Sequence, residues 1–202
     1  MLFALAALLV PNTRSLYEGS LFYVRGAVMP PTGIQPVRRD GRYASLYDLV
    51  RLRNAERFDY ILAQFALPGL SVEKIRIPNS PMRDLFVRFN NSEPLTVYCA
   101  HYDKLYEDPN YQGASDNTAA VSTLLAGIEE LARRGQSGSR AFLFTGEEER
   151  GLTGATAFVE YARANRIAIR DIVNFDSLGR GRLTIRPSAD LPGFVFALPF
   201  YG

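Results

Sequence analysis

Between Leu46 and Leu67 apolar side chains recur at helical spacing. Leu49, Leu52, Phe58, Ile61, Leu62 and Phe65 share one face, with Arg51, Arg53, Glu56 and Arg57 outside it. Pro68-Gly69 ends the segment. The period then changes: Val72 to Ile77 alternates strictly, as a half-buried strand does. Leu85 to Phe89 and Leu95 to Ala100 read as further strands, joined through Asn90-Asn91-Ser92. Asp116 to Arg134 is the clearest helix, with Val121, Leu124, Leu125, Ile128 and Leu131 in one stripe, Ser115 or Asp116 as N-cap and Gly135 as the stop. Ala141 to Phe144 reads as a short buried strand, Thr153 to Arg166 as a second amphipathic helix, Ile172 to Phe175 as a strand and Leu183 to Ile185 as an edge. Alternating strands and helices predict an α/β three-layer sandwich: a mixed, mostly parallel central sheet with helices on both faces.

The ends are patterned differently. Met1 to Val10 is an unbroken apolar run, half the length needed to cross a bilayer. A buried strand, the remnant of a longer hydrophobic segment and an export signal are the three readings of it. The last favours a secreted, periplasmic or membrane-anchored protein over a cytoplasmic one, although no basic region precedes the run. Residues 11 to 45 are rich in proline and glycine, so 1–44 is expected to be an irregular lead-in and 45–202 the α/β domain. The chain stops in the apolar stretch LPGFVFALPFYG, which would ordinarily lie inside a core, so the expected domain is C-terminally incomplete.

Composition narrows the chemistry. At 202 residues and 47% hydrophobic, the chain is too apolar to be disordered. Twenty-three basic residues against twenty-one acidic ones, spread along the chain, give no footprint for nucleic acid. A single cysteine excludes internal disulfides and Cys-rich zinc clusters. The single histidine, His101, excludes any site needing two histidines from this chain, and a serine-hydrolase Gly-x-Ser-x-Gly elbow is absent.

The remaining polar residues of interest sit at strand ends. His101 and Asp103 follow one strand, Glu147, Glu148 and Glu149 another and Asp176 a third, while Asp116 opens the long helix. Carboxyl ends of strands line the ligand crevice in open α/β sheets. Acids gathered there need a cation, and one imidazole with several carboxylates suits zinc, manganese or cobalt. A hydrolytic site would also need a carboxylate beside the metal to take a proton from water. Each residue has a plainer alternative: a hydrogen-bonded histidine, a helix cap at Asp116, a solvated glutamate turn, and a turn start at Asp176.

Four ordered segments resemble metallopeptidase family 28, the dinuclear zinc aminopeptidases and carboxypeptidases. They are Ala100-His101-Tyr102-Asp103, Gly113-Ala114-Ser115-Asp116-Asn117, the run from Gly146 to Ala155, and Asn174-Phe175-Asp176. The likeness covers roughly residues 45 to 186. It implies that His101 and Asp176 bind one zinc, that Asp116 bridges two and that Asp103 supports His101. Counting back from Gly151-Leu152 makes Glu148 the base and Glu149 the second zinc's ligand; counting forward from Gly146 moves both roles one residue earlier. The implied reaction is metal-assisted hydrolysis of a peptide or small aminoacyl substrate, with Glu148 taking a proton from water and returning it to the leaving amine.

The resemblance breaks at the second zinc, whose histidine ligand this chain lacks. The chain is then either a fragment or a degenerate relative, and in both cases is expected to be inactive alone. An aminopeptidase is the leading expectation. A glutaminyl cyclase-like acyltransferase with one zinc and an inactive peptidase-fold binding domain are the alternatives.

Overall fold

In this computed structural model the described residues are 41, 44–66, 69–89, 92–108, 111–135 and 138–178, together with the strands 184–187 and 194–198. Apart from Gly41 and Ala44, the expected lead-in over 1–44 lies outside them, as does the run Met1 to Val10. In chain order the elements are α1 (Ala44–Leu49), α2 (Asn54–Ala63), β1 (Ser71–Arg76), β2 (Arg83–Arg88) and β3 (Leu95–His101). A π-type turn (Ala114–Thr118) then leads into α3 (Ala119–Arg133), followed by β4 (Arg140–Thr145), α4 (Thr153–Ala164), β5 (Ile169–Phe175), β6 (Thr184–Pro187) and β7 (Phe194–Leu198). No helix among the described residues is long and apolar enough to cross a membrane.

The seven strands form one sheet in the order β1-β2-β4-β3-β5-β7-β6. β4, β3, β5 and β7 run parallel, and the pairs β1/β2, β2/β4 and β6/β7 are antiparallel. The sheet is therefore mixed, with its parallel part at the centre. β2 and β3, which read as consecutive strands, are not neighbours, because β4 lies between them. Local pattern carries no information on pairing, so this order was invisible in the sequence.

Central strands bury side chains on both faces, which is why they read as nearly continuous apolar runs. Leu95, Val97 and Cys99 of β3 pack with Phe158 and Ala162 of α4. Ala100, from the opposite face of the same strand, packs with Leu49, Ile61, Val121, Leu125 and Ile128 of α1, α2 and α3. β4 divides likewise, with Ala141 and Leu143 toward α4 and Phe142 and Phe144 toward α3. The chain leaves β3 for β4 on one side and then crosses to β5 on the other. The resulting switch point opens a crevice at the carboxyl ends of β3, β4 and β5.

Two expectations need correction. The helix expected over Leu46 to Leu67 is two helices, α1 and α2, broken between Leu49 and Asn54. Arg57, expected on the outer face, is 1% exposed and donates Nε–H to the Leu49 carbonyl at 3.1 Å, so tertiary contacts terminate α1. The helix expected from Asp116 begins at Ala119. Asp116 has φ −117° and ψ 98°, outside helical geometry, and the N-cap position is Thr118 rather than Ser115 or Asp116. The Asp116 carboxylate is instead turned toward His101.

Candidate functional site

His101 closes β3, paired in register with Thr145 at the end of β4, so two strand exits begin side by side. Its imidazole is 3% exposed. Nδ1 lies 3.2 Å from the Asp103 carbonyl oxygen and 3.4 Å from its Oδ1. Nε2 lies 3.0 Å from Asp116 Oδ1 and 3.8 Å from Asp176 Oδ1. Asp103 is buried as well, and its carboxylate accepts the backbone N–H groups of Glu148 and Glu149, each at 3.2 Å. One carboxylate thus ties the exit of β3 to the exit of β4 and faces the imidazole.

The segment bearing Asp116 is set by tight packing at Gly113, whose φ is +54°. A Cβ there would stand 2.9 Å from both the Asp116 carbonyl oxygen and Lys104 Cγ, so only glycine lets the two segments approach this closely. Asn117, fully buried, donates Nδ2–H to the Phe175 carbonyl at 2.9 Å and so joins this turn to the exit of β5. Its Oδ1 has no hydrogen-bond partner.

The three consecutive glutamates separate. Glu147, with φ +56°, is buried, accepts a hydrogen bond from Ser80 Oγ and lies 3.6 Å from Arg150 Nε. Glu148 and Glu149 are half-buried on the following turn. His101, Asp116 and Glu149 each offer a donor atom within 4.8 Å of the others. The strand–turn junction is held by Asp84, whose Oδ1 accepts the Gly146 N–H at 3.0 Å.

Charge accumulates here. Burial by itself would pull the His101 pKa down, but hydrogen bonds to Asp103, Asp116 and Asp176 outweigh it and push it up to about 12. Burial opposes ionisation of Asp176 too, yet the His101 and Ser177 hydrogen bonds hold its carboxyl below the usual range. Glu148 is raised, mainly by burial. Glu149 is raised to about 7 by burial and then by Asp116. This is a cluster of acids whose mutual repulsion a bound cation would relieve.

The donor set suits zinc. Two ligand atoms about 2.0–2.2 Å from one tetrahedral zinc lie about 3.3 Å apart. The separations of 3.0 and 3.8 Å around His101 Nε2 bracket that value. One imidazole nitrogen with carboxylate oxygens is a normal zinc ligand set.

The sequence pointed to His101, Asp103, Asp116, Glu148, Glu149 and Asp176, which lie on four segments that meet around His101 and Asp103. It missed Arg57, Asn54 and Asp84, whose neighbours are long-range and leave no periodic signal.

The sequence profile of peptidase family M28 matches residues 85–189. No match was found among curated protein sequences. Among solved structures, the LapA aminopeptidase of Legionella pneumophila is similar with a TM-score of 0.57 at 18% identity, over 70% of this chain and 43% of LapA. An Acidobacteriales bacterium glutaminyl cyclase has a TM-score of 0.55 at 18% identity, over 77% of this chain and 64% of the cyclase. A zinc-dependent exopeptidase of Parabacteroides distasonis has a TM-score of 0.55 at 16% identity, over 75% of this chain and 65% of the exopeptidase. The match thus spans less than two thirds of each of these proteins.

Proposed function

The chain belongs to peptidase family M28, and from that premise we propose that it carries the site of a zinc-dependent exopeptidase, most closely an aminopeptidase, acting on peptides or small aminoacyl compounds. The observation that carries this reading is the placement of Asp116, on the turn before α3, and Asp176, just past β5, at 3.0 and 3.8 Å from Nε2 of His101, the last residue of the parallel strand β3. A zinc ion held there would supply a Lewis acid that activates water and polarises a carbonyl.

The chain's own residues do the rest. Asp103 faces Nδ1 with both its carboxylate and its carbonyl, which would keep a proton on Nδ1 and present Nε2, on the side of Asp116 and Asp176, to a bound metal. Glu149 offers a donor atom within 4.8 Å of those of His101 and Asp116, so these three residues together would hold the ion. Glu148, adjacent and half-buried, is the proton carrier: it takes a proton from water and returns it to the leaving amine. Glu147 is engaged with Ser80 and Arg150, which favours the register with Glu148 as base and Glu149 as ligand.

His101 being the only histidine, one imidazole-containing donor set is complete in this chain and a second lacks its imidazole. Zinc binding is therefore the primary test. The purified protein is expected to hold about one zinc per chain, and a folded protein that retains none refutes the proposal. Aminoacyl p-nitroanilide hydrolysis is the second readout: whatever hydrolysis the zinc-loaded chain shows is expected to fall about 10²–10⁴-fold in Glu148→Gln with zinc retained. Hydrolysis unchanged in Glu148→Gln would overturn the base assignment. Cyclisation of an N-terminal glutaminyl peptide without hydrolysis would replace the exopeptidase reading with an acyltransferase.

A further inference from the structure

α2 presents two polar side chains one turn apart to the loops that carry the proposed metal ligands. Asn54 accepts the Lys104 N–H with Oδ1 at 2.8 Å and donates Nδ2–H to the Lys104 carbonyl at 3.1 Å. Arg57 reaches deeper. Its guanidinium donates to the Tyr102 carbonyl at 2.9 Å, the Gln112 carbonyl at 3.2 Å and Thr118 Oγ1 at 2.7 Å, besides the Leu49 carbonyl that closes α1. Tyr102 lies between His101 and Asp103, while Gln112 and Thr118 bracket Asp116. Thr118 passes the constraint on, since its hydroxyl donates to the Gly113 carbonyl at 2.6 Å.

We propose that Arg57 is a positioning residue for the metal centre, a clamp that holds the His101 loop and the Asp116 turn at ligation distance from each other. The inference rests on the metal-site reading above. These loops are irregular, so neither the sheet ladder nor a helix satisfies their carbonyls. A planar guanidinium with five N–H donors can bridge several such carbonyls at once, which a lysine ammonium on a flexible stem cannot do in the same geometry. Burial lowers the Arg57 pKa to about 10, with Asp103 opposing the shift, so the side chain remains a cation at neutral pH. A buried cation beside an acidic site is tolerable because its guanidinium donates to three carbonyl oxygens and a hydroxyl oxygen. Lys104 closes the same loop from within, donating Nζ–H to the Tyr111 carbonyl at 3.0 Å while its stem packs on Gly113.

The test is a titration of the full chain with Co²⁺, a zinc surrogate, followed by its visible absorption, with folding checked by circular dichroism. Arg57→Lys is expected to weaken Co²⁺ binding by about 10–100-fold, the usual range for partners that orient ligands, and to alter the visible band. Should Arg57→Lys not fold, Thr118→Val removes one clamp bond together with the bond to the Gly113 carbonyl and is expected to weaken binding in the same direction, with Thr118→Ser restoring it. Ile75→Ala, buried near the sheet edge among residues facing α4, serves as the control for general destabilisation. Folded Arg57→Lys or Thr118→Val with wild-type affinity and spectrum overturns the proposal, as does equal weakening in Ile75→Ala. Failure of the wild-type chain to bind Co²⁺ overturns both this proposal and the metal site. Binding by the wild type with no effect at Arg57 overturns the clamp alone.

Discussion

Asp84 makes stability depend on pH in a direction opposite to that of a salt-bridged carboxylate. It sits on β2 with 0% exposure; Oδ1 accepts the Gly146 N–H at 3.0 Å and Oδ2 has no hydrogen-bond partner among the described residues. Burial raises its pKa from the ordinary 3.8 to about 7, and Asp103 adds to the rise. At 1.36 kcal/mol per pH unit, the gap corresponds to about 4 kcal/mol. Because the folded state binds this proton more tightly than the unfolded one, the contribution is fully present below pH 3.8 and lost as pH rises through about 7. Asp84→Asn keeps an oxygen for Gly146 and removes the charge. The variant is expected to lose this pH dependence, gaining on the wild type between about pH 4 and 7 by up to about 4 kcal/mol. For a chain of this size that is about 8–16 °C in Tm. The unpartnered amide adds a pH-independent cost of about 1–3 kcal/mol, so the diagnostic is the slope of the difference, not its offset. Thermal unfolding of both proteins across that range is the assay, and other titrating groups cancel in the comparison. Parallel curves would refute the reasoning.

Two further outcomes are expected. Gly154→Ala would place a Cβ 2.1 Å from the Gly146 carbonyl oxygen and 2.6 Å from Asp84 Oδ1, so α4 or the glutamate turn must move. A loss of about 3 kcal/mol, the upper end of overpacking costs, should appear in denaturant unfolding, and an unchanged midpoint would contradict the packing described. Zinc at about 100 times its Kd should stabilise the folded state by about 2.7 kcal/mol, raising Tm by about 5–11 °C. Chelation should reverse that rise, and His101→Ala should abolish it.

Element type and place were largely legible, and the reasons are local. Leu95 to Ala100 read as a strand because both faces of β3 are buried, and Val121 to Leu131 read as one helical stripe because one face of α3 packs on the sheet. The candidate site was read from the same local signals: His101, Glu148, Glu149 and Asp176 follow predicted strands, and strand exits in such a sheet converge. For the division among the glutamates the sequence offered two registers, with Glu148 as base and Glu149 as ligand preferred because that register keeps Gly151-Leu152 after the pair. What that count could not supply is the setting: Ser80, distant in sequence, engages Glu147, and Asp103 accepts the amides of the next two residues. Arg57 misled for a related reason. Helical periodicity assigns a charged residue to solvent, whereas here three carbonyls and a hydroxyl supply in the interior what water would supply outside.

By itself, then, the sequence determined the α/β alternation, the number of acids at strand exits and the restriction to a single imidazole, since these follow from periodicity and composition. Tertiary structure alone decided the strand order, the break between α1 and α2, the non-helical turn at Asp116 and the burial of Arg57 and Asp84. Each of those is settled by groups far apart in the chain meeting where water is excluded. There a hydrogen bond or an unpaired charge is worth enough to override local preference.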